Sequence, residues 1–210
     1  STSEKNIEIT ALNTNLEACD EIFKQVQLRN IAGLIVIDFI DMSVNGNNNK
    51  VERKIKELFL KSQVVDSLNE AIDSHPVISL SRTAGSYLSF LAYGAIHQKN
   101  GYHLFVLPEK EEALYFFNDL ENIFEKQRGT TLLFYPASYR RPYQIVDPDA
   151  TCVLQRTEVI NALSKQRKKV IVVTYPEAIV EKVIDKKYFD ENNITLSVGE
   201  ELDLELINEL

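Results

Sequence analysis

Residues 75–90 read HPVISLSRTAGSYLSF, and the reading of this stretch decides what sheet the chain builds. An apolar run (Val77, Ile78, Leu80) leads into a turn of small residues and then into a segment of helical period. That is the strand, loop and helix order of a phosphate-binding loop. Such a loop needs glycines so that backbone amides close around phosphate, a lysine against the β/γ-phosphates, and Ser or Thr for magnesium. With Gly85 at the second glycine, Leu80 takes the first glycine position, Ser86 the lysine position and Tyr87 the Ser/Thr position. The loop is degenerate at Leu80, Ser86 and Tyr87. The sequence therefore predicts a turn that starts a helix, with no cofactor bound.

Downstream, strands and helices alternate. Val77–Leu80 reads as a strand and Gly85–Gln98 as a helix. They are followed by a strand at Tyr102–Leu107 (YHLFVL) and a helix at about Glu111–Glu125. A third strand at Thr131–Tyr135 is followed by the turn-rich PASYRRPYQIVDPDA and a helix near Leu154–Leu163. KKVIVVTYPEAI then gives a fourth strand, with a Pro-Glu helix start at Pro176. This order predicts an α/β fold, a mostly parallel sheet flanked by helices, helicase-like in outline. The closing NITLSVGEELDLELINEL reads as a strand, a Gly turn and a helix start.

Upstream the pattern differs. Leu12, Leu16, Cys19, Ile22, Phe23 and Val26 recur at helical spacing between about Thr10 and Leu28. LIVIDFI, Leu34–Ile40, reads as a buried strand carrying Asp38, with Asp41 at its end. SVNGNNNK is polar and aperiodic, which predicts a linker. Val51–Ser74 returns to the helical period. The expected division is a helix–strand appendage over 1–42, a linker over 43–53, an α/β domain over 54–194 and the start of a small domain over 195–210.

Composition sets limits. A chain of 210 residues, 44% hydrophobic and 26% charged, has the make-up of an ordinary globular protein. No apolar run approaches the ~20 residues that cross a membrane, and no signal peptide is visible at Ser1. Cys19 and Cys152 lack metal spacing, so a reducing cytoplasm is the expected location. A net charge of −8 argues against nucleic-acid binding by the whole surface. One local patch runs against that charge: Tyr139, Arg140, Arg141 and Tyr143 set two guanidiniums among aromatic rings, a composition that stacks on bases or binds phosphate. His75, His97 and His103 lack partner spacing and are expected to be structural. Cys19 is expected in the core, and Cys152 has no recognisable partner that would make it a nucleophile.

Two resemblances follow from these motifs. HLFVLPEKEEALYFFNDLENIF, LLFYPASYRRPY, VLQRTEVINALS, VIVVTYPEAIVEKVI and LSVGEELDLELINEL resemble, in order, the UvrB-like start of the bacterial transcription-repair coupling factor, over about 55–210. That resemblance implies a non-catalytic adaptor in transcription-coupled DNA repair. It also implies UvrA, RNA polymerase and DNA as partners of the full-length form, with the ATP-dependent motors absent from this chain. TALNTNLEACDEIFKQVQLRNIAGLIVIDFIDM, Thr10–Met42, resembles the catalytic domain of the ribonuclease E/G family. It implies magnesium held by two aspartates, of which Asp38 matches the second and the first has no counterpart. Asp38 and Asp41 are three residues apart, so on a strand they point to opposite faces and cannot share one ion. The adaptor reading is the main expectation. A fragment of a magnesium-dependent single-strand endoribonuclease and a recombined inactive domain are the alternatives.

Overall fold

The computed structural model describes residues 2–28, 36–81, 83, 85–124, 129–138, 150–165, 168–183, 185 and 188. It begins with a long helix, α1 (Thr2–Leu28), followed by an extended segment over 36–44. α2 (Asn45–Leu60) packs along α1, and α3 (Gln63–Ser74) and α4 (Tyr87–Ile96) follow. β1 (Gly101–Val106), α5 (Lys110–Phe124), β2 (Thr130–Phe134), α6 (Ala150–Ser164), β3 (Lys169–Thr174) and the short α7 (Pro176–Ile179) complete the described order.

The sheet is parallel with β3 at its centre, in the order β1-β3-β2, and Lys169 stands opposite both Gly101 and Thr130. Two ring contacts place α5 on one face: Phe105 to Phe116 at 5.1 Å and Phe117 to Phe134 at 5.6 Å between centroids. Side chains alternate along a strand, so Leu133 and Tyr135 turn to the other face, where the Arg156 guanidinium of α6 lies 4.2 Å from the Tyr135 ring centroid. Covered on both sides, β3 is buried throughout, which is why KVIVVT is apolar without alternation. The core gathers Tyr93, Phe116, Leu120, Phe134, Val159 and Ile171 from the sheet and both layers.

Ion pairs and hydrogen bonds fix the helices to one another. Ser89, 1% exposed, donates its hydroxyl to Asp119 at 2.9 Å, joining α4 to α5. The buried Lys169 amine donates to the carbonyls of Ile96 and His97 at 2.9 and 2.7 Å, capping the C-terminal end of α4. A cation there also meets the negative end of the helix dipole. Lys56 of α2 donates to the Asn122 carbonyl of α5 at 3.1 Å, tying the upstream helices to the α/β part.

The α/β class and the parallel sheet stand as expected, and β1, β2 and β3 lie within a residue of their expected bounds. The helicase-like layout does not. Its first strand, Val77–Leu80, is not in the sheet: Val77 is 83% exposed and the backbone there pairs with no strand among the described residues. Residues 36–40 likewise form no strand, and Val36, Ile37 and Ile40 are exposed. A β-branched run becomes a strand only when a neighbouring edge takes its hydrogen bonds, and neither run has one. The stretch read as a linker is helical from Asn45 onward. The expected helix over 51–74 is two helices, broken at Lys61 and Ser62, where the Ser62 hydroxyl accepts from the Val65 amide. The expected elements in 193–210 lie outside the described residues. No described helix is long and apolar enough to cross a membrane.

Candidate functional site

The segment that carries Asp38 is held by α1. Ala11, Asn15 and Cys19 recur every four residues and form the buried stripe of that helix. Asn15, 2% exposed, turns its side chain onto the extended segment. Its Nδ2 donates to the Ile40 carbonyl and its Oδ1 accepts from the Ile40 amide, both at 2.9 Å. One amide side chain thus supplies Ile40 with the donor and acceptor that a neighbouring strand would otherwise give. Four residues later Glu8 repeats the device. Its carboxylate accepts from the Ser43 and Val44 amides at 3.1 Å each and from Asn47 Nδ2 at 2.9 Å. The Asn47 bond, then those of Ser43 and Val44, hold the Glu8 carboxyl below its ordinary pKa. These contacts also explain a helix that begins on Asn45: Val44 has no capping side chain, and Glu8 binds the entering backbone instead.

Between these anchors Asp38 is exposed, and so is Asp41. A buried strand had been expected, but the carboxylate faces solvent. Among the described residues no group of three or more His, Cys, Asp or Glu side chains could hold a metal. Magnesium takes one or two carboxylates and fills its other positions with water and phosphate oxygens. The residues present therefore fit an ion shared with a bound phosphate, and do not fit a closed metal centre built by this chain alone.

The degenerate loop lies elsewhere. Gly85 has φ of +54°, a left-handed conformation that glycine adopts without penalty, and it turns the chain into α4. Ser86 occupies the N-cap of α4 without a capping bond from its side chain, and Tyr87 begins the helix. Leu80 is half exposed beside an open groove of about 470 Å³ between α3 and residues 78–83. Gln63, Ser67, Leu68, Ser81 and Tyr87 are among its lining residues, and none of the described lining residues is charged. Tyr139, Arg140, Arg141 and Tyr143 lie outside the described residues. The residue just before them, Ser138, donates its amide to both Glu181 oxygens at 2.9 and 3.0 Å. Asp38, the loop and Ser138 sit on separate elements, and no described contact joins them.

Two buried polar residues escaped the sequence reading. Arg156, 8% exposed, donates to the carbonyls of Pro136 and Ala178 at 2.8 and 3.2 Å and pairs with Glu181 at 3.2 Å. Asn15 was the other. Each stands in phase with the buried stripe of its helix, Asn15 four residues after Ala11 and Arg156 four after Cys152. A polar residue in that phase was the signal. His103 Nε2 lies 3.3 Å from the Lys99 carbonyl, and burial lowers the pKa of both His103 and His97, with Lys169 adding to the effect on His97. Cys19 and Cys152 are buried, and burial and then Asp20 raise the Cys19 pKa.

Comparison with known proteins places the upstream part. The Ribonuclease E/G family model matches residues 1–72. Ribonuclease E of Buchnera aphidicola subsp. Acyrthosiphon pisum is 53% identical over 58 residues, 28% of this chain and 6% of that protein. Ribonuclease E of Haemophilus influenzae is 54% identical over 57 residues, 27% of this chain and 6% of its own length. Ribonuclease G of Escherichia coli K12 is 38% identical over 65 residues, 31% of this chain and 13% of that protein. The chain thus spans only a small part of the curated relatives it matches. No solved structure matches it.

These findings correct the main expectation. The matched relatives are ribonucleases, not repair factors, so the UvrB-like adaptor reading falls. Its partners UvrA, RNA polymerase and DNA fall with it. The match also runs thirty residues past Met42, through the expected linker to residue 72. That agrees with a helix, not a loop, at Asn45–Leu60.

Proposed function

We propose that the chain acts on RNA through its ribonuclease E/G-type part, with Asp38 as the carboxylate that holds magnesium against a phosphate of single-stranded RNA. The family match across residues 1–72, which contains Asp38, carries this reading. The exposed position of Asp38 supports it, since a substrate phosphate needs open access. Magnesium, when bound, neutralises phosphate charge and polarises the phosphoryl group. Asp38 holds the ion. Asn15 fixes the backbone two residues away, so that the carboxylate is presented without rearrangement. Hydrolysis further requires a second carboxylate or an activated water, so this chain supplies one half of such a site.

The test is magnesium-dependent binding and cleavage of a single-stranded RNA oligonucleotide by the whole chain, beside Asp38→Asn. The expected result is that the magnesium-dependent part falls at least about tenfold in the variant, as for loss of one charged ligand. Equal behaviour of the two proteins, or no magnesium dependence in the wild type, overturns the assignment.

A further inference from the structure

The outer edge of β1 is open, and its geometry states what closes it. The amides of Gly101 and Leu107 donate to the carbonyls of Lys168 and Thr174, on the β3 side. Backbone groups alternate along a strand, so those of Tyr102, Leu104 and Val106 point to the free edge. The same three residues expose their side chains, at 53%, 62% and 48%. They lie on the α6 face, because Phe105 faces α5. Their neighbours across the ladder, Val170, Val172 and Thr174, are buried on that face. α6 covers β2 and β3 and stops short of β1. An apolar edge with free hydrogen-bonding groups is a template for another strand.

The winding of the chain selects the occupant. The β1-to-β2 connection crosses the α5 face in one direction, and the β2-to-β3 connection returns over the α6 face. A further right-handed connection that continues past β1 uses the α6 face again, the face left bare over β1. The opposite choice, a strand outside β2, would cross the face where α5 already lies. Beyond α7 the described chain exposes apolar residues of its own, Val180 at 81% and Val183 at 54%. Residues 193–198, NITLSV, then alternate apolar and polar over six residues, the length of β1.

We propose that residues 193–198 add to the free edge of β1 as a fourth parallel strand, and that the connection from α7 lies over Tyr102, Leu104 and Val106. Hydrogen exchange on the whole chain tests this. The expected result is slow exchange at the amides of Tyr102, Leu104 and Val106, independent of protein concentration. In Leu196→Pro that exchange speeds up by at least about tenfold, while the amides of Gly101, His103 and Phe105 stay protected. A second measurement covers the case in which this variant fails to fold. A short bis-maleimide is expected to join Leu104→Cys to Leu196→Cys within one chain, the native Cys19 and Cys152 being buried. Fast exchange in the wild type, no effect of Leu196→Pro, or no intramolecular cross-link overturns the proposal. Protection that rises with protein concentration overturns it in favour of a second copy.

Discussion

At the scale of single residues, two side chains hold backbone that no secondary structure would otherwise hold. Asn15 makes two bonds to Ile40 from a buried position. Asn15→Ala leaves both backbone groups to water and is expected to cost about 1–3 kcal/mol. Denaturant titration measures the loss, and residues 36–44 are expected to exchange amide hydrogens faster. Arg156 is the stronger case, because its guanidinium serves two carbonyls, one carboxylate and one ring at once. A single ammonium cannot reproduce that fork or its stacking. Arg156→Lys is therefore expected to destabilise by about 2 kcal/mol and Arg156→Ala by about 3 kcal/mol, read from the shift in the denaturant midpoint. Neither residue was picked out in the sequence as more than one of many polar side chains, because what each one holds is distant in sequence. Asp38 was legible, but only its identity was. Its exposure depends on a strand pairing that local sequence does not encode.

At the scale of elements, helix packing gives the sharpest expectation. A Cβ built on Gly94 of α4 meets Val65 Cγ2 at 2.8 Å and Cγ1 at 3.2 Å. Alanine at a helix position is worth up to about 1 kcal/mol over glycine. Val65 is buried and β-branched, however, so it has little freedom to move aside. Overpacking of this kind costs about 1–3 kcal/mol, and it wins. Gly94→Ala is expected to lower stability, and Val65→Ala in the same chain is expected to recover part of the loss, a coupling that a double-mutant cycle reads directly. The same scale explains what the sequence conveyed. β1, β2 and β3 were legible because short apolar runs between turn residues are a local signal. LIVIDFI and VISL carry the same signal without a pairing edge, so composition alone overstated the sheet by a strand. α2 was hidden for the converse reason: its asparagine-rich start has poor intrinsic propensity, and Glu8, far upstream, supplies the cap.

At the scale of the whole molecule, acid is expected to loosen the fold in two stages. His97 and His103 have pKa values lowered from 6.5 in the fold, burial being the first cause in each. The unfolded chain therefore takes up protons first, and stability falls as pH drops through 6.5 and below. Glu8 is lowered from 4.5 by the bonds it accepts. Its contribution is present above that value and is lost as pH falls through the folded value. Below pH 6.5 the expected early changes are around His103 and the α4 end. The Ser43 and Val44 amides are expected to respond only below pH 4.5. A pH series of amide NMR spectra separates the two stages, and a single concerted transition would contradict them.

The central position of β3 also has a consequence during synthesis. β1 and β2 are made first, yet neither borders the other, and each pairs only with the strand that emerges last. Until residue 174 clears the ribosome, the nascent chain carries two apolar strands with no ladder to join. The sheet therefore closes in one late event across long sequence separations, which is slow by topology and leaves strand edges open meanwhile. A ribosome pause before Lys169 would prolong that window, and a chaperone that shields extended apolar segments would act there.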